Sequence, residues 1–234
     1  MLSYCVKHKY IKEHPFKDLK KLDEPEMFKP FLEVEEAFKL LDVAQKTDQN
    51  TYIFVSVALY AGLRQKEILN LKWKDIDWKR QHLTVQCDND VRTKSNKYRI
   101  VSMEEDLVNI LSEHRKFNLF ASEYLISSKG AKRVCIKKAY RNVLQRADLG
   151  KPASARVLRT TSCSFWAMTG VPLKQAQLWM GHSDVKITAE IYSQIVPSLQ
   201  KEYLNSISKL RSKECGTNLA QLDENNKLCH GIKS

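Results

Sequence analysis

Arg64, Lys94, Arg159, His182 and Tyr192 are side chains of the types needed to break a DNA strand without a metal ion. Such a reaction requires a nucleophile for phosphorus, donors for the non-bridging oxygens as charge develops, and an acid for the departing sugar oxygen. Tyrosine can attack and then store the bond as an ester. Arginine suits the phosphate oxygens because its planar fork donates two hydrogen bonds at once and stays charged. Lysine or histidine can deliver the proton. Arg64 ends the run Ala61-Gly62-Leu63-Arg64, and Lys94 lies within Thr93-Lys94-Ser95-Asn96-Lys97. Gly181-His182 follows Leu158-Arg159, with Gly181 placed 22 residues after Arg159. Tyr192 comes ten residues after His182, with Thr188 between them.

The elements that must position these residues can be read from periodicity. Val34, Ala37, Phe38, Leu41 and Ala44 recur at helical spacing, and a second apolar helix runs from about Thr51 to Ala61 and stops at Gly62. Arg64 to Leu71 reads as a short helix directly after that glycine. The period then changes to two. Leu83 and Val85 alternate with polar neighbours, as do Tyr98 and Ile100, which predicts two strands joined by the polar stretch Asp88 to Asn96. Ser102-x-x-Glu105 has the form of a capping box. The helix after it carries Leu107, Ile110, Leu111 and His114 on one stripe, so His114 is expected to pack rather than to ligate. Tyr124 to Ser127 suggests a third strand. Beyond it the pattern is helical: Ile136, Ala139, Tyr140, Val143, Leu144 and Ala147 form one stripe, and Leu158, Thr161, Phe165 and Met168 another, ending at Gly170. Pro172 suits the first turn of the next helix and Gly181 its C-terminal cap. Leu199, Tyr203, Ile207 and Leu210 mark a last helix. The expected fold class is mainly α with a small antiparallel sheet.

The formal net charge is +12, and a basic surface draws phosphate polymers by Coulomb attraction and counterion release. Charge alone does not separate a nucleic-acid surface from an ordinary solvated one. The six cysteines form no C-x-x-C pair and fit no zinc module, so reduced thiols and no metal or cofactor are expected. No apolar run approaches the roughly 20 residues that cross a bilayer. Met1 to Lys12 has lysines but no signal-peptide core. The expected location is the cytoplasm, away from membranes.

The ordered pieces Leu158-Arg159, Gly170-Val171, Met180-Gly181-His182-Ser183, Thr188 and Ile191-Tyr192 resemble the tyrosine recombinase (phage integrase) family, over about Phe31 to Lys201. The resemblance implies that family's catalytic-domain fold. It also implies a division of labour. Arg64 and Arg159 would clamp the scissile phosphate, Lys94 would protonate the leaving 5′ oxygen, His182 would hydrogen-bond the phosphate or assist the tyrosine, and Tyr192 would form a 3′-phosphotyrosyl bond. Double-stranded DNA would be the partner, and a homo-oligomer, a tetramer on paired sites, the working form. The helix around Leu199 to Leu210 could pack on a neighbouring subunit.

Two departures stand out. The family's second box usually reads His-x-Leu-Arg-His, whereas this chain has Arg156-Val157-Leu158-Arg159-Thr160. Arg156 remains a candidate phosphate contact, but it cannot take a proton near neutral pH. After Arg64 the family often shows Gly-Glu, and here Lys66-Glu67 stands, with Glu67 a candidate for orienting Arg64 or Arg159. The expected organisation is a remnant of an N-terminal core-binding domain plus linker over 1–30, a catalytic domain over 31–212, and a polar tail over 213–234.

Plainer readings compete at each position. Tyr192 could be a half-buried aromatic. Arg64 could pair only with Glu67, and Arg159 could be a surface arginine on an amphipathic helix. Lys97 and Arg99 share the hairpin with Lys94, and His182 could complement a helix dipole. Trp166 and Trp179 are expected in the core. For the whole chain the expected function is a site-specific recombinase or integrase. The alternatives are a DNA-binding protein with impaired catalysis, left from a mobile element, and a type IB topoisomerase-like enzyme.

Overall fold

The computed structural model describes residues 2–16, 28–86, 98–116, 122–128 and 130–195. Lys94, residues 17–27 of the stretch expected as linker, the helix expected around Leu199 to Leu210 and the polar tail over 213–234 lie outside these residues. The described elements are mainly helical, with small antiparallel sheets, as the periodicity indicates.

Helix α1 (Leu2–Lys7) stands at the N-terminus. Helix α2 (Val34–Thr47) begins where the Glu36 carboxylate accepts from the Glu33 backbone N–H at 2.8 Å. It buries Ala37, Leu40, Leu41 and Ala44 and leaves Phe38 largely exposed. Asp48 ends α2 and caps α3 (Gln49–Ala61), its carboxylate accepting from Thr51 N–H at 3.0 Å. Helix α3 is apolar nearly all round, which suits only a helix covered on every side. It is the central rod of the core, and α2, α7, α5, α4 and α6 pack on it.

Gly62 stops α3 in the left-handed region at φ 62°. A Cβ there would lie 2.9 Å from Trp166 Cη2 and 3.1 Å from both Met180 Sδ and Ser162 Oγ. Both the dihedral and the space therefore demand glycine, and the chain leaves α3 pressed against two later helices. Leu63 is fully buried, and Arg64, extended at ψ 150°, precedes the short helix α4 (Gln65–Asn70).

A 3-10 turn (Trp73–Asp75) leads into a three-stranded antiparallel sheet ordered β1 (Ile76–Asp77), β2 (His82–Gln86), β3 (Tyr98–Ser102). Leu83 pairs with Val101 and Val85 with Arg99. The alternation in β3 is the reverse of the one expected. Arg99 and Val101 face inward, and Tyr98 and Ile100 face out. Helix α5 (Glu105–Lys116) follows. Ser102 is the last residue of β3, three positions before that helix, so it closes the strand and does not cap. His114 packs as expected, its Nε2 2.9 Å from the Leu125 carbonyl, and burial pushes its imidazole below the ordinary value. Tyr124 makes only an isolated bridge to Lys72, and a small hairpin forms slightly later from β4 (Ser127–Ser128) and β5 (Ala131–Lys132).

Helices α6 (Lys137–Ala147), α7 (Ala155–Met168) and α8 (Leu173–Met180) complete the frame. Ser154 caps α7, Pro172 sits at the N-cap of α8, and Gly181 ends α8 at φ 63°. A last described helix, α9, spans 185–195. A large core gathers around α3, and a second cluster of Cys163, Trp166, Ala176, Met180 and Ile191 joins α7, α8 and α9. Trp166 is buried in the core as expected, and Trp179, only partly buried, packs edge-on against it with ring centroids 5.1 Å apart. No described helix is long and apolar enough to cross a membrane.

Candidate DNA-cleavage site

The ends of α3, α7 and α8 converge on one cleft of about 550 Å³. Its lining includes Lys29, Arg64, Arg156, Arg159 and His182, and no carboxylate is among its described lining residues. Such a wall disfavours a cation and offers a phosphate several cationic side chains.

Arg159 comes from the second turn of α7 and is buried, 7% exposed. A buried charge needs partners. Its Nη1 donates to the Gly62 carbonyl at 2.5 Å, and its Nη2 donates to the Met180 carbonyl. Those carbonyls end α3 and α8, two residues before Arg64 and His182 respectively. Burial, followed by repulsion from Arg64, pushes the Arg159 guanidinium down to about 9, so it remains cationic at neutral pH.

Arg64 is half exposed, and Glu67 anchors it. The Glu67 carboxylate accepts from Arg64 N–H at 2.7 Å and from Arg64 Nη1 at 3.0 Å. Arg64 Nη2 also donates to the Gly181 carbonyl at 3.2 Å. Glu67 is nearly fully buried. Burial opposes its ionisation, but hydrogen bonds and charge from Arg99, then Arg64, hold it down to about 2.

His182 follows the Gly181 cap. Its Nδ1 lies 2.9 Å from Thr188 Oγ1, which is completely buried, and its carbonyl accepts from Gln177 Nε2 at 3.1 Å. Burial, then Arg159 and Arg64, push the imidazole down to about 4, so the ring is neutral at pH 7.

Tyr192 lies on α9 and packs against the second cluster. Its hydroxyl donates to the Val171 carbonyl at 2.9 Å, and Tyr192 is not among the residues lining the cleft. The structure therefore brings Arg64, Arg159 and His182 together, with Arg156 at the rim, and holds the Tyr192 hydroxyl on the loop between α7 and α8.

Two residues escaped the sequence reading. Lys29 lines the cleft and ties to α9, donating to the Ile187 carbonyl at 3.4 Å and pairing with Glu190. It belongs to the stretch read as linker, where nothing local marks a lysine as special. Arg99 grips Glu67. The apolar neighbours Tyr98 and Ile100 masked it, because they suggest the opposite strand face.

The model of the Phage integrase family matches residues 30–198, and the chain belongs to that family. A XerC-like tyrosine recombinase of Caldanaerobacter subterraneus subsp. tengcongensis is 27% identical over 212 residues, covering 75% of this chain and 53% of the relative. The integrase of Salmonella phage P22 is 26% identical over 191 residues, covering 77% of this chain and 47% of the relative. The chain thus spans about half the length of these relatives. Among solved structures, the XerA recombinase superposes with a TM-score of 0.66 at 26% identity, over 87% of this chain and 79% of that one. XerH bound to a palindromic difH substrate in a post-cleavage complex shares the fold, with a TM-score of 0.64 at 18% identity, over 83% of this chain and 58% of that one.

Proposed function

We propose that this chain carries the catalytic part of a site-specific recombinase that cuts and rejoins double-stranded DNA through a phosphotyrosine at Tyr192. The observation that carries this reading is the cleft in which Arg64, Arg159, Arg156 and Lys29 meet His182, with no carboxylate among the described lining residues. The proposed reaction is a transesterification. The Tyr192 hydroxyl leaves the Val171 carbonyl, passes its proton to a solvent water and attacks phosphorus. The bond from phosphorus to the 5′ oxygen breaks, and Lys94 supplies the proton that oxygen takes. Arg64 and Arg159 hold the non-bridging oxygens as charge grows on them. His182, whose Nδ1 is engaged by Thr188, meets the phosphate through Nε2. Attack by another strand's 5′ hydroxyl reverses the steps, so no ATP is needed. Arg156, in the family's usual histidine position, adds charge and accepts no proton. A homo-oligomer on paired DNA sites and a cytoplasmic location are part of the same reading. XerH, which shares the fold, has been captured with a palindromic difH substrate in a post-cleavage complex.

A second reading, DNA binding without cleavage, draws on one observation: the Tyr192 hydroxyl is bonded to Val171 and not placed in the cleft. A duplex nicked beside the scissile phosphate separates the two. Covalent protein–DNA product on a denaturing gel supports the recombinase. Salt-sensitive binding with no covalent product supports the second reading.

A further inference from the structure

Arg99 lies outside the cleft and is almost completely enclosed, its side chain 8% exposed. It donates from Nη1 to Glu67 Oε1 at 2.8 Å and from Nη2 to Glu67 Oε2 at 2.7 Å. Its Nε donates to the Trp179 carbonyl at 2.7 Å. A carboxylate has about four acceptor positions, and here all four are used. Arg99 takes one on each oxygen, Arg64 Nη1 takes the second on Oε1, and Arg64 N–H takes the second on Oε2. Arg99 also passes directly beneath Gly181, where a Cβ would lie 3.0 Å from its Cδ and 3.1 Å from its Nη1.

The Arg64 guanidinium donates to Glu67 Oε1 and to the Gly181 carbonyl. Arg99 holds the first and supports the second. It also sits in β3, paired with Val85, directly after the segment 87–97 that contains Lys94. We propose that Arg99 is a positioning residue for cleavage: by holding Glu67 and bracing Gly181, it fixes the guanidinium of Arg64 toward the scissile phosphate. The proposal rests on the recombinase reading above. Arg99 needs a fork and not only a charge, because a lysine cannot bond both carboxylate oxygens and the Trp179 carbonyl together.

The test uses the full chain and three variants: Arg99→Met, Arg99→Lys and the double variant Arg99→Met/Glu67→Gln. Thermal melting first establishes which variants are folded at the assay temperature. On the nicked duplex, Arg99→Met is expected to slow covalent product formation roughly 100-fold, the scale of a displaced reacting group, with duplex affinity within about twofold of wild type. Arg99→Lys, which disturbs packing least, is expected to fall between the two. The double variant should be no slower than Arg99→Met by more than about threefold, because both changes act through the same carboxylate. Arginine side-chain NMR supplies a readout independent of activity. Arg64 signals, assigned with Arg64→Lys, should show restricted rotation in wild type and rapid averaging in either Arg99 variant. Cleavage near the wild-type rate in Arg99→Lys, multiplying losses in the double variant, or unchanged Arg64 signals would each overturn the proposal. If wild type itself forms no covalent product, the recombinase reading fails, and the NMR result alone still decides whether Arg99 fixes Arg64.

Discussion

Arg159 donates to the carbonyl of Gly62, 97 residues earlier in the chain, and so locks the start of α7 to the end of α3. With its second bond to Met180, one guanidinium joins the three helix ends that form the cleft. The residue proposed to clamp phosphate is therefore also a structural rivet. Arg159→Ala leaves two buried carbonyls unpaired, at about 1–3 kcal/mol each. Urea unfolding is expected to show a loss of roughly 2–6 kcal/mol, beyond any loss of activity. Arg159→Lys retains charge without the fork. Its covalent product is expected to form roughly 100- to 1,000-fold more slowly, measured under conditions where the variant is folded.

Glu67 joins Arg64 to Arg99 in a buried network, and its stability contribution has a definite sign with pH. Its folded-state value lies near 2, below the ordinary 4.5. The stabilisation is complete above 4.5 and is lost as pH falls from there toward about 2. Glu67→Ala leaves Arg99 buried without its carboxylate, a loss of about 3–5 kcal/mol. Acid unfolding followed by circular dichroism should be shallower over that window in Glu67→Gln than in wild type. Parallel curves would remove Glu67 from the acid response.

His182 has the same proton balance over a higher pH window. Its folded value near 4 lies below the ordinary 6.5, so between those limits the unfolded chain binds more protons. Stability is therefore expected to rise with pH from about 4 to 6.5. His182→Gln should flatten that part of the melting-temperature profile. A bound phosphate would offset the charges of Arg159 and Arg64, so the His182 imidazole should titrate higher in the DNA complex than in the free protein. NMR titration with and without duplex checks this. An unchanged or lower value would place the phosphate elsewhere.

Local rules expose much of this fold and part of its site. The stop at Gly62, the cap at Gly181 and the buried stripe Ile136, Tyr140, Val143 and Ala147 follow from dihedral preference and helical period. The order of Arg64, Arg159 and His182 was legible because each lies at a helix end, where short motifs are distinctive. The face of β3 was not legible, since Tyr98-Arg99-Ile100-Val101 offers apolar residues on both sides and only pairing with Val85 and Leu83 decides. Lys29 reaches the cleft through long-range contacts to α9, which have no signature in the residues around it. The bond from Tyr192 to Val171 is likewise a tertiary contact, 21 residues apart.

The central claim is that Tyr192 becomes covalently joined to DNA. The direct measurement traps the protein on a nicked duplex, digests it with trypsin and nuclease, and weighs the peptide spanning 187–201, which contains Tyr192 and no other tyrosine. That peptide is expected to carry a nucleotide through its tyrosine, and Tyr192→Phe is expected to lose the adduct while binding duplex as wild type does. An adduct on another peptide, or one that survives Tyr192→Phe, would contradict it.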